Sequence, residues 1–225
     1  MARFEDPAYY GDIWAGAYDE QQIAPDPGPA VEFLAGLAGG GPVLELAIGT
    51  GRVALPLAAR GIEVEGIDAS AAIVARLRDK PGGQSIPVTI GDMADVPAVG
   101  PFRLVYLVFN SLFCLLSYER QADCFRHVAE VLGPGGLLVV ECFVPDPARH
   151  GAARQRLTTQ VITRDERGGV QLLPVVLRYS WPFELDEMAA GAGLLQLERY
   201  GDWDRQPFGP ASVKHVSVYQ RPFSA

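Results

Sequence analysis

Glu45-Leu46-Ala47-Ile48-Gly49-Thr50-Gly51 decides how this chain is read. It continues the apolar run Pro42-Val43-Leu44, which has the length and composition of a short buried strand. Gly49 and Gly51 then make a tight loop, because glycine adopts left-handed backbone at no steric cost and lets another molecule approach closely. Val53, Leu55, Leu57 and Ala58 open a helix whose Pro56 must lie in the first turn, where a missing N–H does no harm. Strand, glycine loop and helix N-terminus in succession present free backbone N–H groups to a ligand.

Working outward, the pattern repeats. Residues 63–67 form a second strand ending in Asp68, followed by a helix at 71–78. A third strand at 87–90 ends in Gly91-Asp92-Met93, and 102–109 is an apolar run typical of a strand buried on both faces. An amphipathic helix at 118–132 is stopped by Gly133-Pro134-Gly135-Gly136, and 137–143 is the fifth strand. Strands alternating with helices imply a parallel sheet with right-handed crossovers.

After Pro145 the alternation lapses. Residues 160–163 and 170–179 read as an antiparallel hairpin, followed by a helix at 183–190 and strands at 194–200 and 213–219. The expected fold is therefore α/β: a seven-stranded Rossmann-like sheet, mostly parallel, with a reversed C-terminal edge strand. Ahead of it stands a separate helix carrying Tyr10, Trp14 and Tyr18 at i, i+4 and i+8. The Pro-rich hinge 25–29 follows.

Composition excludes several classes of function. The chain has 225 residues, 48% hydrophobic and 20% charged, which is one globular domain with a sizeable core. Its net charge of −8 and pI near 4.9 argue against nucleic acid or an anionic membrane surface as a partner. No apolar stretch has the length of a membrane span, and the N-terminal residues carry no secretory pattern. Three cysteines without CxxC spacing read as reduced structural thiols, so a cytoplasmic location is expected. His127 reads as helix surface, His215 as structural and His150 as an acceptor-site candidate. Their spacing gives no metal site.

Each strand end carries a group suited to a nucleoside. Asp68 is placed to accept two ribose hydroxyls. Asp92 can accept from an exocyclic amine, with Met93 packed on a flat ring. The third glycine of the dinucleotide fingerprint is missing, and Glu45 would repel a pyrophosphate but not a cationic amino-acid end. That combination resembles class I S-adenosylmethionine-dependent methyltransferases, with Ala47 in place of the first glycine of their first motif. The substitution requires an unstrained φ at Ala47. The turn Leu132-Gly133-Pro134-Gly135-Gly136-Leu137 matches that family as well.

More narrowly, the chain is similar to small-molecule methyltransferases of actinobacterial natural-product and amino-sugar pathways. The residues that carry this likeness are Tyr18-Asp19, Phe109-Asn110-Ser111-Leu112-Phe113, Glu141-Cys142-Phe143-Val144-Pro145-Asp146 and Leu177-Arg178-Tyr179-Ser180-Trp181-Pro182. The resemblance implies one methyltransferase domain: a lid helix and hinge at 1–30, a donor-binding core at 31–145, an inserted acceptor-side hairpin at 146–180, and a closing helix and two strands at 181–225. It implies S-adenosyl-L-methionine as cofactor, S-adenosyl-L-homocysteine as product, and a methyl acceptor nitrogen or oxygen on a small metabolite; a homodimer is compatible with it.

The resemblance places Trp14, Tyr18, Glu45, Ala47, Gly49, Thr50, Gly51, Arg52, Asp68, Ala69, Asp92, Met93 and Phe109 around the cofactor. It places Tyr10, Trp14, Asn110, Phe113, Phe143 and Tyr179 around the acceptor, with Tyr18 and Asn110 nearest the chemistry. Alternatives are a nicotinamide-dependent oxidoreductase and a non-catalytic protein that binds the same donor.

Overall fold

The computed structural model describes residues 2–19, 25–146, 155–164 and 169–223. The main sheet is built from β1 (Val43–Leu46), β2 (Val64–Asp68), β3 (Val88–Ile90), β4 (Phe102–Leu107), β5 (Leu132–Phe143), β8 (Leu195–Tyr200) and β9 (Lys214–Gln220). Its order is β3-β2-β1-β4-β5-β9-β8. The first five strands pair in parallel; β9 runs against both of its neighbours, β5 and β8, which produces the reversal expected at the C-terminal edge.

Apolar alternation explains the layering. In β4, Leu104 and Tyr106 face one core while Val105 and Leu107 face the other. The first core holds α2 (Gly28–Ala38) through Val31 and Leu34, with Leu57 of α3 (Ala54–Ala58) and Leu77 of α4 (Ala71–Arg78). The opposite core holds Phe125 and Val128 of α5 (Tyr118–Val131) and Leu185 and Met188 of α6 (Pro182–Gly191). Both faces are covered, so the strands carry continuous apolar runs.

Three local expectations are corrected. The N-terminal helix α1 (Tyr9–Trp14) stops before Tyr18: the Trp14 carbonyl accepts the N–H of both Ala17 and Tyr18, and residues 15–19 turn around helix-weakening Gly16. The Gly133–Gly136 stretch is drawn into β5, with a break in register opposite Phe102 and Leu104. Only glycine fits at 136, where a Cβ would stand 2.9 Å from the Phe102 carbonyl oxygen. Finally, β6 (Arg156–Arg164) and β7 (Val170–Arg178) form a longer hairpin than 160–163 suggested, and a sheet of their own.

Strand order reverses between β1 and β4, so a crevice opens beyond their C-terminal ends. The hairpin and α1 close over this crevice. Trp14, Ala17 and Leu173 form a small apolar cluster separate from both cores, with Tyr10, Ile13, Tyr18, Val161 and Val175 packed on it. No helix among the described residues is long and apolar enough to cross a membrane.

Candidate functional site

The loop after β1 turns on alternate left-handed residues. Ala47, Gly49 and Gly51 have φ of 55°, 56° and 77°. The unstrained φ expected at Ala47 is therefore wrong: the backbone keeps the glycine conformation although the residue has a Cβ, at a cost of about 1–2 kcal/mol. Gly51 is needed for packing, because a Cβ there would lie 2.3 Å from Leu77 Cδ1. At Gly49 a Cβ would meet nothing nearer than 3.8 Å, so the loop fronts open space.

That space is a cavity of about 600 Å³. Ala47, Gly49, Asp68, Ala69, Asp92 and Met93 line it from the strand ends, and Tyr10, Trp14 and Tyr18 from the N-terminal segment. Phe109 and Asn110 line it from the end of β4, and Thr159, Val161 and Val175 from the hairpin. Glu45, Thr50 and Arg52 line an adjoining side pocket of about 30 Å³, which Tyr18 and Phe109 share. Gly51 lies behind both.

The carboxylates of the site sit in different fields. Asp68 accepts the N–H of Gly49 at 2.9 Å and of Ser70 at 3.0 Å, which leaves each oxygen one further lone pair. Burial raises its pKa, and the two N–H groups oppose that. The cap of α4 is Ser70 rather than Asp68: the Ser70 hydroxyl accepts Ile73 N–H at 3.2 Å. Glu45 lies buried beneath the loop and accepts the Tyr106 hydroxyl at 2.9 Å. Burial pushes it up to about 8, against the Tyr106 hydroxyl and the Arg52 charge. Asp92 pairs with Arg120 at 2.6 Å and accepts Ala94 N–H at 2.8 Å. A guanidinium that sequence reading missed thus stands beside the expected amine acceptor.

The corner after β4 is strained at two successive residues, Phe109 with φ of 52° and Asn110 with φ of 66°. Glu141 of β5 accepts Phe109 N–H at 2.8 Å, and Asn110 Oδ1 accepts Phe143 N–H at 2.6 Å. The Asn110 carbonyl is therefore occupied, and its NH₂ is the end left to meet a ligand. Arg52 lies 5.4 Å over the Phe109 ring and donates to Pro25 O at 3.0 Å.

The N-terminal segment docks by polar bonds as well as by rings. Tyr10 stacks on Trp14 at 5.6 Å, and Trp14 meets Tyr18 edge-on at 6.4 Å. Asp12 accepts the Ser70 hydroxyl at 2.5 Å, and a Cβ on Gly11 would collide with Ser70 Cβ at 2.4 Å. Burial raises the pKa of Tyr10 and Tyr18 and pushes the Cys114 thiol up to about 12. Trp14 Nε1 is buried with no hydrogen-bond partner among the described residues.

Other candidates lie elsewhere. Phe113, Phe143 and Tyr179 are not on the cavity wall; they form a chain of ring contacts behind it, at 5.0 and 6.4 Å. His127 sits on α5, its Nδ1 2.7 Å from Ala94 O. His215 is buried in β9, pushed down to about 3 by desolvation first and then by Arg199. His150 falls outside the described residues. Arg120, Asp12, Asp19 and Glu141 went unnoticed as site residues because their partners are distant in sequence.

The arrangement suits a ligand with ribose, adenine and amino-acid ends: an open glycine loop, acids at two strand ends and a buried carboxyl facing a side pocket. Comparison with known proteins agrees. A methyltransferase-domain family model matches residues 43–136. The structure of the CcbJ methyltransferase from Streptomyces caelestis is 37% identical, superposes with a TM-score of 0.88, and is aligned over 96% of this chain and 99% of that one. The cypemycin N-terminal methyltransferase of a Streptomyces species is 27% identical over 96% of this chain and 99% of its own length. An S-adenosylmethionine-bound amino pentose methyltransferase of calicheamicin biosynthesis, from Micromonospora echinaspora, shares the fold with a TM-score of 0.65. It is 20% identical, over 93% of this chain and 96% of that one.

Proposed function

The chain belongs to the class I S-adenosylmethionine-dependent methyltransferases, and from that premise we propose that it methylates a nitrogen of a small-molecule metabolite in natural-product biosynthesis. One observation carries the reading: a single cavity at the sheet's switch point meets the glycine loop and Asp68 on one side and the aromatic N-terminal segment on the other. The relative named as a cypemycin N-terminal methyltransferase supports nitrogen as the acceptor atom.

Asp68 would hold the ribose hydroxyls, Asp92 and Met93 the adenine, and Glu45, Arg52 and Tyr18 the amino-acid end. The bound cofactor supplies a methyl group already activated on a positive sulfur. What remains for the protein is to align two reactants and exclude water, and such positioning contributes up to ~7–11 kcal/mol. Tyr10, Trp14, Phe109 and the Asn110 NH₂ would form the acceptor end. Burial raises the pKa of Tyr10, Tyr18 and Cys114, so none of these three lining groups is a ready base at neutral pH. An amine that has already lost its proton to water needs none; a simple hydroxyl does.

Calorimetry with S-adenosylmethionine and NAD tests the donor. Saturable binding of the first and none of the second is expected, and the reverse would sink the reading. Transfer of labelled methyl from the donor to extract metabolites tests turnover and separates an enzyme from a mere binder. Label recovered on oxygen would overturn the choice of nitrogen.

A further inference from the structure

We propose that Asp19 is a positioning residue, which joins the aromatic wall to the glycine loop so that closing the wall and seating the donor become one equilibrium. The inference rests on the donor site proposed above. Asp19 follows Tyr18 and lies outside the cavity lining, yet its carboxylate makes two long-range bonds. Thr50 Oγ donates to it at 2.7 Å, and Lys80 Nζ stands 2.8 Å away. Lys80 also donates to the Thr50 carbonyl at 2.9 Å.

Thr50 is thus gripped through both its hydroxyl and its carbonyl. Its neighbours are the left-handed Gly49 and Gly51, and it is itself buried. Glycine on both sides gives this loop conformational freedom. External bonds to its one side chain therefore fix the direction of its N–H groups. The same carboxylate anchors Tyr18, which lines both the main cavity and the Glu45 side pocket.

A second attachment makes the coupling specific to closure. Asp12 holds Ser70, whose N–H binds Asp68. Besides its apolar packing, the segment is bonded to the cavity's frame through two carboxylates, and each bond reaches a residue bonded or adjacent to a proposed donor contact. Asp19 and Lys80 are 36% and 30% exposed, so water and salt weaken the pair and its effect is modest.

The test is donor titration of the full chain by calorimetry, together with melting of the unliganded protein. Asp19→Ala is expected to weaken S-adenosylmethionine binding roughly 5- to 10-fold while leaving the melting temperature unchanged. That range is the expected loss of one charge-assisted hydrogen bond discounted for its exposure. Asp19→Glu should restore most of the affinity, which a loss of fold would not allow. Lys80→Gln should weaken binding by itself, and adding it to Asp19→Ala should cost less than the product of the single effects, as expected of coupled partners. Binding by Asp19→Ala within about 2-fold of the parent overturns the inference while leaving the donor site standing. Failure of the parent chain to bind the donor overturns both.

Discussion

Glu141 Oε2 accepts the backbone N–H of Phe109 at 2.8 Å and, together with the Asn110 side chain's bond to Phe143 N–H, braces a corner where Phe109 and Asn110 both hold left-handed φ. The other oxygen of Glu141 accepts Trp203 Nε1 at 2.9 Å and faces Lys214 at 3.5 Å. A carboxylate can serve both donors because it has two acceptor oxygens; an amide has only one. Glu141→Ala should therefore destabilise by roughly 2–3 kcal/mol, the cost of stranding buried partners, and should abolish turnover as Phe109 and Asn110 relax. Glu141→Gln, able to serve one partner, should melt between the two. Thermal melts with single-turnover assays decide it, and full activity in the alanine variant would show that the corner stands without this clamp.

Ala47 holds a left-handed φ with a Cβ attached, so its strain is removable. In Ala47→Gly the relief of about 1–2 kcal/mol is opposed by about 0.4–1 kcal/mol of added unfolded-chain entropy. The melting temperature should hold or rise by up to about 4 °C, at roughly 2–4 °C per kcal/mol for a chain of this size. Donor affinity should not fall. Ala47→Val, β-branched in the same conformation, should lose stability. A glycine variant that melts clearly lower would mean the loop is unstrained.

Glu45 links stability to pH. Its folded value of about 8 lies above its ordinary 4.5, so between those values the folded state keeps a proton that the unfolded state has lost. Stability then falls as pH rises through this window and is fully lost from that group above about 8. Asp68 is shifted in the same direction and adds to the slope. Glu45→Gln should melt higher than the parent at pH 8.5 by a few degrees, taking about 2–4 °C per kcal/mol. The two should converge near pH 5. The same variant should bind the donor more weakly, because it cannot ionise toward a cationic group. Calorimetric melts across pH check the first claim, and parallel curves for both proteins would remove Glu45 as the source.

What could be read from sequence was what local pattern controls. Asp68 and Asp92 could be placed on the cavity wall because each ends a strand, and a strand end is visible as apolar residues giving way to a polar one. The loop was found because Gly49 and Gly51 have a conformational meaning of their own. The left-handed Ala47 was hidden because alanine gives no sign of positive φ. Glu141 was read as part of a strand, since its role comes from a partner 32 residues back in sequence. Phe113, Phe143 and Tyr179 were expected at the acceptor because aromatic rings near a site look alike in sequence, whether they face the cavity or the core behind it. Nor did any periodicity reveal that α1 would rest on a hairpin more than 140 residues downstream.

That last contact gives a prediction about the covering segment. Leu173 of β7 is buried in a cluster with Trp14 and Ala17 that shares none of its buried residues with the two main cores. Truncating a buried leucine ordinarily costs about 2–5 kcal/mol. Here the loss falls on the docking of α1 rather than on the sheet, because neither main core includes Leu173. Leu173→Ala should leave the principal melting transition within about 2 °C of the parent, as local opening is separable from global unfolding. Proteolysis should instead reach the N-terminal segment sooner, and turnover should fall with the loss of Tyr10, Trp14 and Tyr18 from the wall. Saturating donor should slow the cleavage if it contacts Tyr18 as proposed, since binding then favours the docked state. Cleavage at the parent rate would mean that the polar bonds of Asp12 and Asp19 hold the segment without the apolar cluster.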